Sequence, residues 1–210
     1  MFILSDLGKL REFAEETETF LEIRLKAHNE RSQNITTTPP KSKKAKNILA
    51  IQKMLIDGVR QKYESDFPEV LRYSLFVHLH AKWEHSLEMI CKHLQKEKGL
   101  SLSQKELQGD VLSRSKLYLT KVAAVGFPKK PATTESLHAL NSIRNLIVHA
   151  NGLLSETYDK GKRKAVIDYF RKSKTGSVIN DVKIYLNRGF SHNAISIYES
   201  FWLELFSLLK

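Results

Sequence analysis

Asn141-Ser142-Ile143-Arg144-Asn145-Leu146-Ile147-Val148-His149-Ala150-Asn151-Gly152 is the stretch from which the rest of the chain can be read. Leu137, Leu140, Ile143 and Ile147 recur at three, three and four, the spacing of one apolar helix face. Thr133 or Thr134, just after Pro131, can cap the start, and Asn151-Gly152 supplies the left-handed residues on which helices end. The spacing predicts a helix that carries an Arg, an Asn and a His through its last turns. Asn145 and His149, four apart, are neighbours on one face, and Arg144 is long enough to swing its guanidinium toward them. His149 sits where the helix end favours an imidazolium, and an imidazole with a pKa of about 6.5 both takes and gives a proton at neutral pH. A guanidinium beside it suits a phosphoryl transition state, in which charge builds on the non-bridging oxygens. The set reads as a phosphodiester-cleaving constellation without a metal.

The loose pattern, Arg followed by His four to six residues on, carries little weight. Roughly one match is expected by chance in such a composition, and Arg72 with His78 is a decoy of this kind. The stricter Arg-Asn-x-x-x-His, expected on the order of 0.02 times, occurs once, at the end of a helix. Arg144-Asn145-Leu146-Ile147-Val148-His149 resembles the signature of the HEPN superfamily, a helical fold found in many prokaryotic RNases of toxin and anti-phage systems. The stretch from Tyr73 to Glu88 is similar to the long helix preceding the motif in HEPN-like nucleases, including a mid-helix acid, Glu84. The resemblance spans residues 66 to 209. It implies an all-α HEPN-like bundle in which two protomers place both motifs at one cleft and RNA is cut there without a metal. Carried onto this chain, it implies catalytic roles for Arg144 and His149, a supporting role for Asn145, and Glu84 as the partner of Arg144.

The bounds of the chain agree with a folded, basic protein. The 210 residues fit a single domain, and 41% apolar residues suffice for a core. A net charge of +11 points to a polyanionic partner without separating RNA from DNA or an acidic protein. One cysteine, Cys91, excludes an internal disulfide and sits in an apolar helical run, where packing is its expected role. No run of 18 apolar residues is present, and Met1-Phe2-Ile3-Leu4-Ser5 lacks the cationic lead of a secretory signal, so a cytoplasmic protein is expected.

Along the chain, residues 3 to 28 read as a helix with Ile3, Leu7, Leu10, Ala14 and Leu21 inward. Its acids Glu15, Glu16, Glu18 and Glu22 make either a solvated face or a contact with a basic surface, on this chain or a second copy. Residues 29 to 46, with Thr36-Thr37-Thr38-Pro39-Pro40 and four lysines, read as a flexible basic linker, and the core bundle then spans 47 to 210. A helix over 46–64 is expected to bury Ile48, Ile51, Leu55, Val59 and Tyr63, with Asp66-Phe67-Pro68 breaking it and capping the next. That next helix, 67–98, has the seam Phe76, His80, Trp83, Leu87, Ile90 and Leu94. His78, His85 and Glu88 invite a metal reading, but His80 projects elsewhere and no Cys or Asp completes a set.

A shorter helix is expected over 112–125, with Leu117, Val122 and Val125 inward, followed by the basic turn Phe127-Pro128-Lys129-Lys130-Pro131. Between Tyr158 and Lys174, seven cations outweigh two acids, a local charge of +5 interleaved with Tyr158, Tyr169 and Phe170. Basic residues among aromatics hold phosphates and stack bases, so Lys162, Arg163, Lys164 and Arg171, with Lys129 and Lys130, are candidate RNA contacts. A short strand or hairpin is expected near 177–187, and Ser191 or Asn193 caps a last helix with Ile195, Tyr198, Trp202, Leu205 and Leu209 inward.

The expectation is a single all-α HEPN-like domain acting as an endoribonuclease that needs no cofactor, with RNA as substrate, a homodimeric assembly, and an antitoxin or other regulatory protein as a further partner. Two alternatives stand beside it. One is a non-catalytic HEPN-like module that binds RNA or protein, the other a basic helical adaptor without an active site.

Overall fold

The computed structural model describes residues 2–33, 42–154, 159–180 and 182–209. Its elements in chain order are α1 (Phe2–Gln33), α2 (Lys43–Gln61), a π-helical turn (Lys62–Asp66), α3 (Phe67–Glu97), a 3₁₀ turn (Gln104–Glu106), α4 (Val111–Leu117), a second π-helical turn (Tyr118–Val122), α5 (Pro131–Ala150), α6 (Lys160–Ser173), the strands β1 (Gly176–Ile179) and β2 (Lys183–Leu186), and α7 (Phe190–Leu208). The molecule is a helical bundle with one short antiparallel hairpin near its C-terminal end, Gly176 pairing with Leu186 and Ile179 with Lys183. No helix among the described residues is long and apolar enough to cross a membrane.

The core forms where α3 and α7 cross. The seam of α3 is buried at Phe76, His80, Trp83, Leu87 and Leu94, with Ile90 half-buried, and α7 supplies Ile195, Tyr198, Phe201, Trp202 and Leu205. Trp83 stacks on Tyr198 at 5.3 Å between ring centroids, and Phe201 meets Trp83 edge-on at 5.3 Å. α5 adds Leu137, Leu140, Ile143 and Leu146. Cys91 is buried in the same core, and burial pushes its thiol up to about 11, as expected of a packing residue.

α1 runs antiparallel to α2 and α3, as three contacts show: Lys82 with Asp6, Arg72 with Glu18, and the His28 ring with the Ile56 carbonyl. Leu7, Ala14 and Leu21 form the buried stripe that the sequence predicts. Of the four acids, Glu16 stays on the solvated face, and three are engaged. Glu18 accepts a two-pronged pair from Arg72, Glu15 faces His192 at 2.7 Å, and Glu22 pairs with Arg188. The basic surface they meet is on the same chain.

Several expectations are corrected. The 29–46 linker is shorter: α1 continues through Gln33, Ser42 caps α2 by accepting from the Ala45 N–H, and residues 34–41 lie outside the described residues. Asp66 neither breaks nor caps. It keeps helical angles, and α2 passes through the π turn into α3, with Pro68 in the first turn of α3, its fixed φ compatible with helix. The stripe Ile48, Ile51, Leu55 and Val59 is exposed, and the half-buried apolar residues of α2 are instead Ala45, Leu49 and Ile56, with Tyr63 following. Leu117 is exposed, since the π turn after it brings Tyr118 and Leu119 inward, while Val122 and Val125 pack partly as expected. Neither Thr133 nor Thr134 caps α5, which starts at Pro131 and uses no side-chain cap. α7 likewise starts from Gly189 rather than from Ser191 or Asn193.

The hairpin fixes the end of α5. Asn151 and Gly152 are both left-handed, and the Gly152 N–H bonds back to Leu146. The Gly152 carbonyl then accepts from Ile184 of β2, while the Tyr73 hydroxyl of α3 donates to the Ile184 carbonyl at 2.5 Å. A Cβ at Gly152 would run into that hydroxyl. Gly152→Ala is therefore expected to destabilise the protein by about 1–3 kcal/mol, read as a lower urea midpoint at unchanged slope. An unchanged midpoint would show that neither the left-handed backbone nor the close approach matters.

Candidate functional site

The last two turns of α5 carry Arg144, Asn145 and His149, and the rest of the fold treats them differently. Arg144 lies on the edge of α5 that faces α3. Its guanidinium donates to Glu84 Oε2 at 2.8 Å and to Asn145 Oδ1 at 2.8 Å. Glu84 is nearly covered, its side chain 13% exposed against 27% for Arg144. The partner of Glu84 is thus the one that the resemblance implies. Lys82, two residues before it on α3, is turned to Asp6.

Behind Glu84 the network continues inward. His80, four residues earlier on α3 and fully buried, places Nε2 3.6 Å from Glu84 Oε1. Its Nδ1 and the Tyr198 hydroxyl are 2.7 Å apart. A chain of polar groups therefore runs from the core to the surface: Tyr198, His80, Glu84, Arg144, Asn145. The sequence places His80 in the apolar seam but gives it no task. The signal that was present is the His-x-x-x-Glu spacing, which sets two polar side chains on one helix face among tryptophan, phenylalanine and leucine.

Burial alone would raise the Glu84 carboxyl, but His80 and Arg144 together outweigh it and hold the group below the ordinary carboxylate value. Tyr198 is pushed well above the ordinary phenol value, chiefly by burial and further by Tyr169 and Glu84, so it stays a neutral hydroxyl. Glu84 is ionised at neutral pH and Arg144 is held by a charge-assisted bond.

His149 is exposed and makes no hydrogen bond among the described residues. Asn145, four residues before it, spends its side-chain oxygen on Arg144. The arginine is anchored and the imidazole is not.

The candidate RNA contacts separate into two groups. α6 runs antiparallel to α5, as Lys172 near its end pairs with Glu135 near the start of α5. The first turn of α6, with Lys162, Arg163 and Lys164, therefore lies beside the motif end of α5. Asp159 caps that turn by accepting from Gly161 and Lys162. Lys129, Lys130 and Arg171 sit at the other end, with Lys130 and His149 about 28 Å apart along the helix at 1.5 Å per residue. The aromatics expected to stack bases do not line a surface. Tyr169 and Phe170 are core residues, Tyr169 donating to Asn193, and Tyr158 lies outside the described residues. The decoy is accounted for as well, Arg72 being committed to Glu18.

His78 and His85 are exposed and Glu88 pairs with Arg114, and no group of three metal-ligating side chains occurs among the described residues. Comparison with known proteins gives no match, whether to a family model, a curated protein or a solved structure.

Because the Glu84 carboxyl is depressed on folding, its contribution to stability is present above the ordinary value of about 4.3 and is lost as pH falls through the lower folded value. Glu84→Gln is expected to cost about 1–3 kcal/mol at pH 7, measured by urea unfolding. The gap to wild type should narrow as the pH is taken below 4. A gap that does not change with pH would mean that the charge of Glu84 adds nothing to the fold.

Proposed function

We propose that this chain is a HEPN-like endoribonuclease that cleaves RNA without a metal. The observation that carries the reading is the pairing, on one helix end, of an arginine fixed by a buried polar chain with an imidazole left open to solvent. His149 takes the proton of a ribose 2′-OH. The 2′ oxygen attacks the adjacent phosphorus, and the bond to the 5′ oxygen breaks. The products are a 2′,3′-cyclic phosphate and a 5′-OH, the leaving oxygen taking a proton from the imidazolium or from water. Arg144 stabilises the charge gathered on the non-bridging oxygens, and Asn145 and Glu84 hold its guanidinium in place. DNA lacks the attacking group and is not a substrate by this route.

Lys162, Arg163 and Lys164, beside the motif end, are the cations suited to the neighbouring phosphates. Lys129, Lys130 and Arg171 would reach only an RNA that follows the length of α5. The family resemblance adds that two protomers bring their motifs to one cleft, that the setting is a cytoplasmic toxin or anti-phage effector, and that an antitoxin or similar protein restrains it.

A second reading draws on the same geometry. Arg144 already spends donors on Glu84 and Asn145, which suits a structural anchor in a non-catalytic HEPN-like module that binds RNA or protein. Purified wild-type and His149→Ala protein incubated with total RNA in chelator separate the two. Cuts ending in cyclic phosphate, present in wild type and reduced at least a hundredfold in the variant while its circular dichroism is unchanged, are the expected result. RNA bound but uncut by both proteins would favour the binding module, and equal cleavage by both would remove His149 from the mechanism.

A further inference from the structure

His80 has no exposure, and only one of its two ring nitrogens has a hydrogen-bond partner. Nδ1 and the Tyr198 hydroxyl are 2.7 Å apart, whereas Nε2 faces Glu84 Oε1 at 3.6 Å, too far for a hydrogen bond. The neighbours of the ring decide where it carries its proton.

The Tyr198 hydroxyl is fully buried and has no other partner among the described residues. Its single hydrogen needs an acceptor, and Nδ1 accepts only if it is bare. A proton on Nδ1 would bond to the phenol oxygen and strand the phenol hydrogen in an aromatic core, at the full cost of an unmade bond. On the other side, a bare Nε2 would turn its lone pair on a carboxylate 3.6 Å away, in a site shut off from water where like partial charges repel strongly. Both neighbours ask for the same form, bare at Nδ1 and protonated at Nε2. A proton on both nitrogens would add a second cation to a carboxylate that Arg144 already matches, among the rings of Phe76, Trp83 and Tyr198.

With the proton so placed, Glu84 has an N–H facing each oxygen, from His80 at Oε1 and from Arg144 at Oε2. The last torsion of a glutamate is broad and nearly two-fold, so a carboxylate held at one oxygen can swing its plane. One faced by a donor at both oxygens is set. Arg144 has five N–H groups, of which Glu84 and Asn145 take one each, and the plane of the carboxylate decides where the remaining three point.

We propose that His80, protonated at Nε2 alone, is a positioning residue that sets the plane of the Glu84 carboxylate and through it the direction of the Arg144 guanidinium. Its consequence for catalysis rests on the nuclease reading, in which the remaining donors of Arg144 meet the phosphate. The geometry does not rest on that reading.

Magnetic resonance of the full chain tests the proposal without RNA. In nitrogen-15 spectra of the histidines at neutral pH, the His80 signals, identified by their loss in His80→Phe, should show one bare and one protonated ring nitrogen, with the proton on Nε2. A proton on Nδ1, or on both, would overturn the proposal. The Arg144 Nε–H, identified with Arg144→Lys, should relax as a rigid group in wild type and in His80→Gln, whose amide can present an N–H where Nε2 stood. In His80→Phe it should relax as a mobile one. An Arg144 equally rigid in all three proteins would make His80 a packing residue only. Since His80→Phe leaves the phenol without an acceptor, the double variant His80→Phe with Tyr198→Phe is measured beside it, and the same mobility is expected there in a better-satisfied core. Cleavage is read separately. If wild type cuts RNA, kcat should fall about tenfold to a hundredfold in His80→Phe, the range for groups that orient a working neighbour, with KM nearly unchanged. His80→Gln should regain most of that loss, and an equal loss in both variants would count against positioning. If wild type cuts no RNA, the nuclease reading falls while the resonance data still decide this one.

Discussion

An imidazole with no exposure, set between Trp83 and Tyr198 in an aromatic core, must satisfy its two ring nitrogens inside the protein or destabilise the fold. His80 meets this need at Nδ1 with the Tyr198 hydroxyl at 2.7 Å, while Nε2 faces the Glu84 carboxylate at 3.6 Å, an electrostatic approach rather than a hydrogen bond. That requirement settles much else. The carboxylate, itself mostly withdrawn from solvent, needs a cation, and α5 supplies one with Arg144. The angle and height at which α5 docks are thereby tied to a polar chain, not to apolar packing alone. Apolar packing tolerates small slides, whereas a bond of 2.8 Å between a guanidinium and a carboxylate does not.

The elements that were legible in the sequence are those whose periodicity decides a single buried face. α3 and α7 were readable because their seams alternate threes and fours over many turns, and the motif helix because its stripe ends in Asn151-Gly152, which does adopt the left-handed pair. The hairpin was readable from the alternation around Val178 and Ile184. The pairing of Glu84 with Arg144 came from the family resemblance rather than from spacing, since 60 residues separate the two.

What the sequence concealed has a common cause. Periodicity reports that a face is apolar but not what covers it. On α2 the stronger stripe, Ile48 to Val59, looked like the core face, and the structure gives that place to the weaker set of Leu49 and Ile56. Asp66-Phe67-Pro68 carried every mark of a boundary, yet a proline in the first turn of a helix is compatible with a continuous rod when a π turn absorbs the change of phase. The same device shifts the register after Leu117. Tyr169 and Phe170 looked like base-stacking residues because they lie between cations in sequence. On a helix, those neighbours point outward and the aromatics inward, where the ring of Phe170 occupies the space that a side chain at Gly176 would need.

A site that handles phosphates gains from having one fixed charge and one group free to move. Charge that develops in a transition state is stabilised best by donors that need not reorganise, and Arg144 is held by two partners, one of which is itself held from the core. A group that must collect a proton from one oxygen and yield it to another gains by being unencumbered, and His149 has no intramolecular partner among the described residues. The two needs oppose each other, and a helix end meets both. Residue 144 lies a turn and a half inside on the edge that Glu84 of α3 grips, and residue 149 lies in the last turn on an exposed edge. The cations at the first turn of α6 lie near the same end of α5, so an anion drawn to them is drawn toward that end as well. Reversing the roles, with a tethered imidazole and a loose guanidinium, would place the more flexible and more hydrated group where the charge appears, and the geometry seen here avoids that cost.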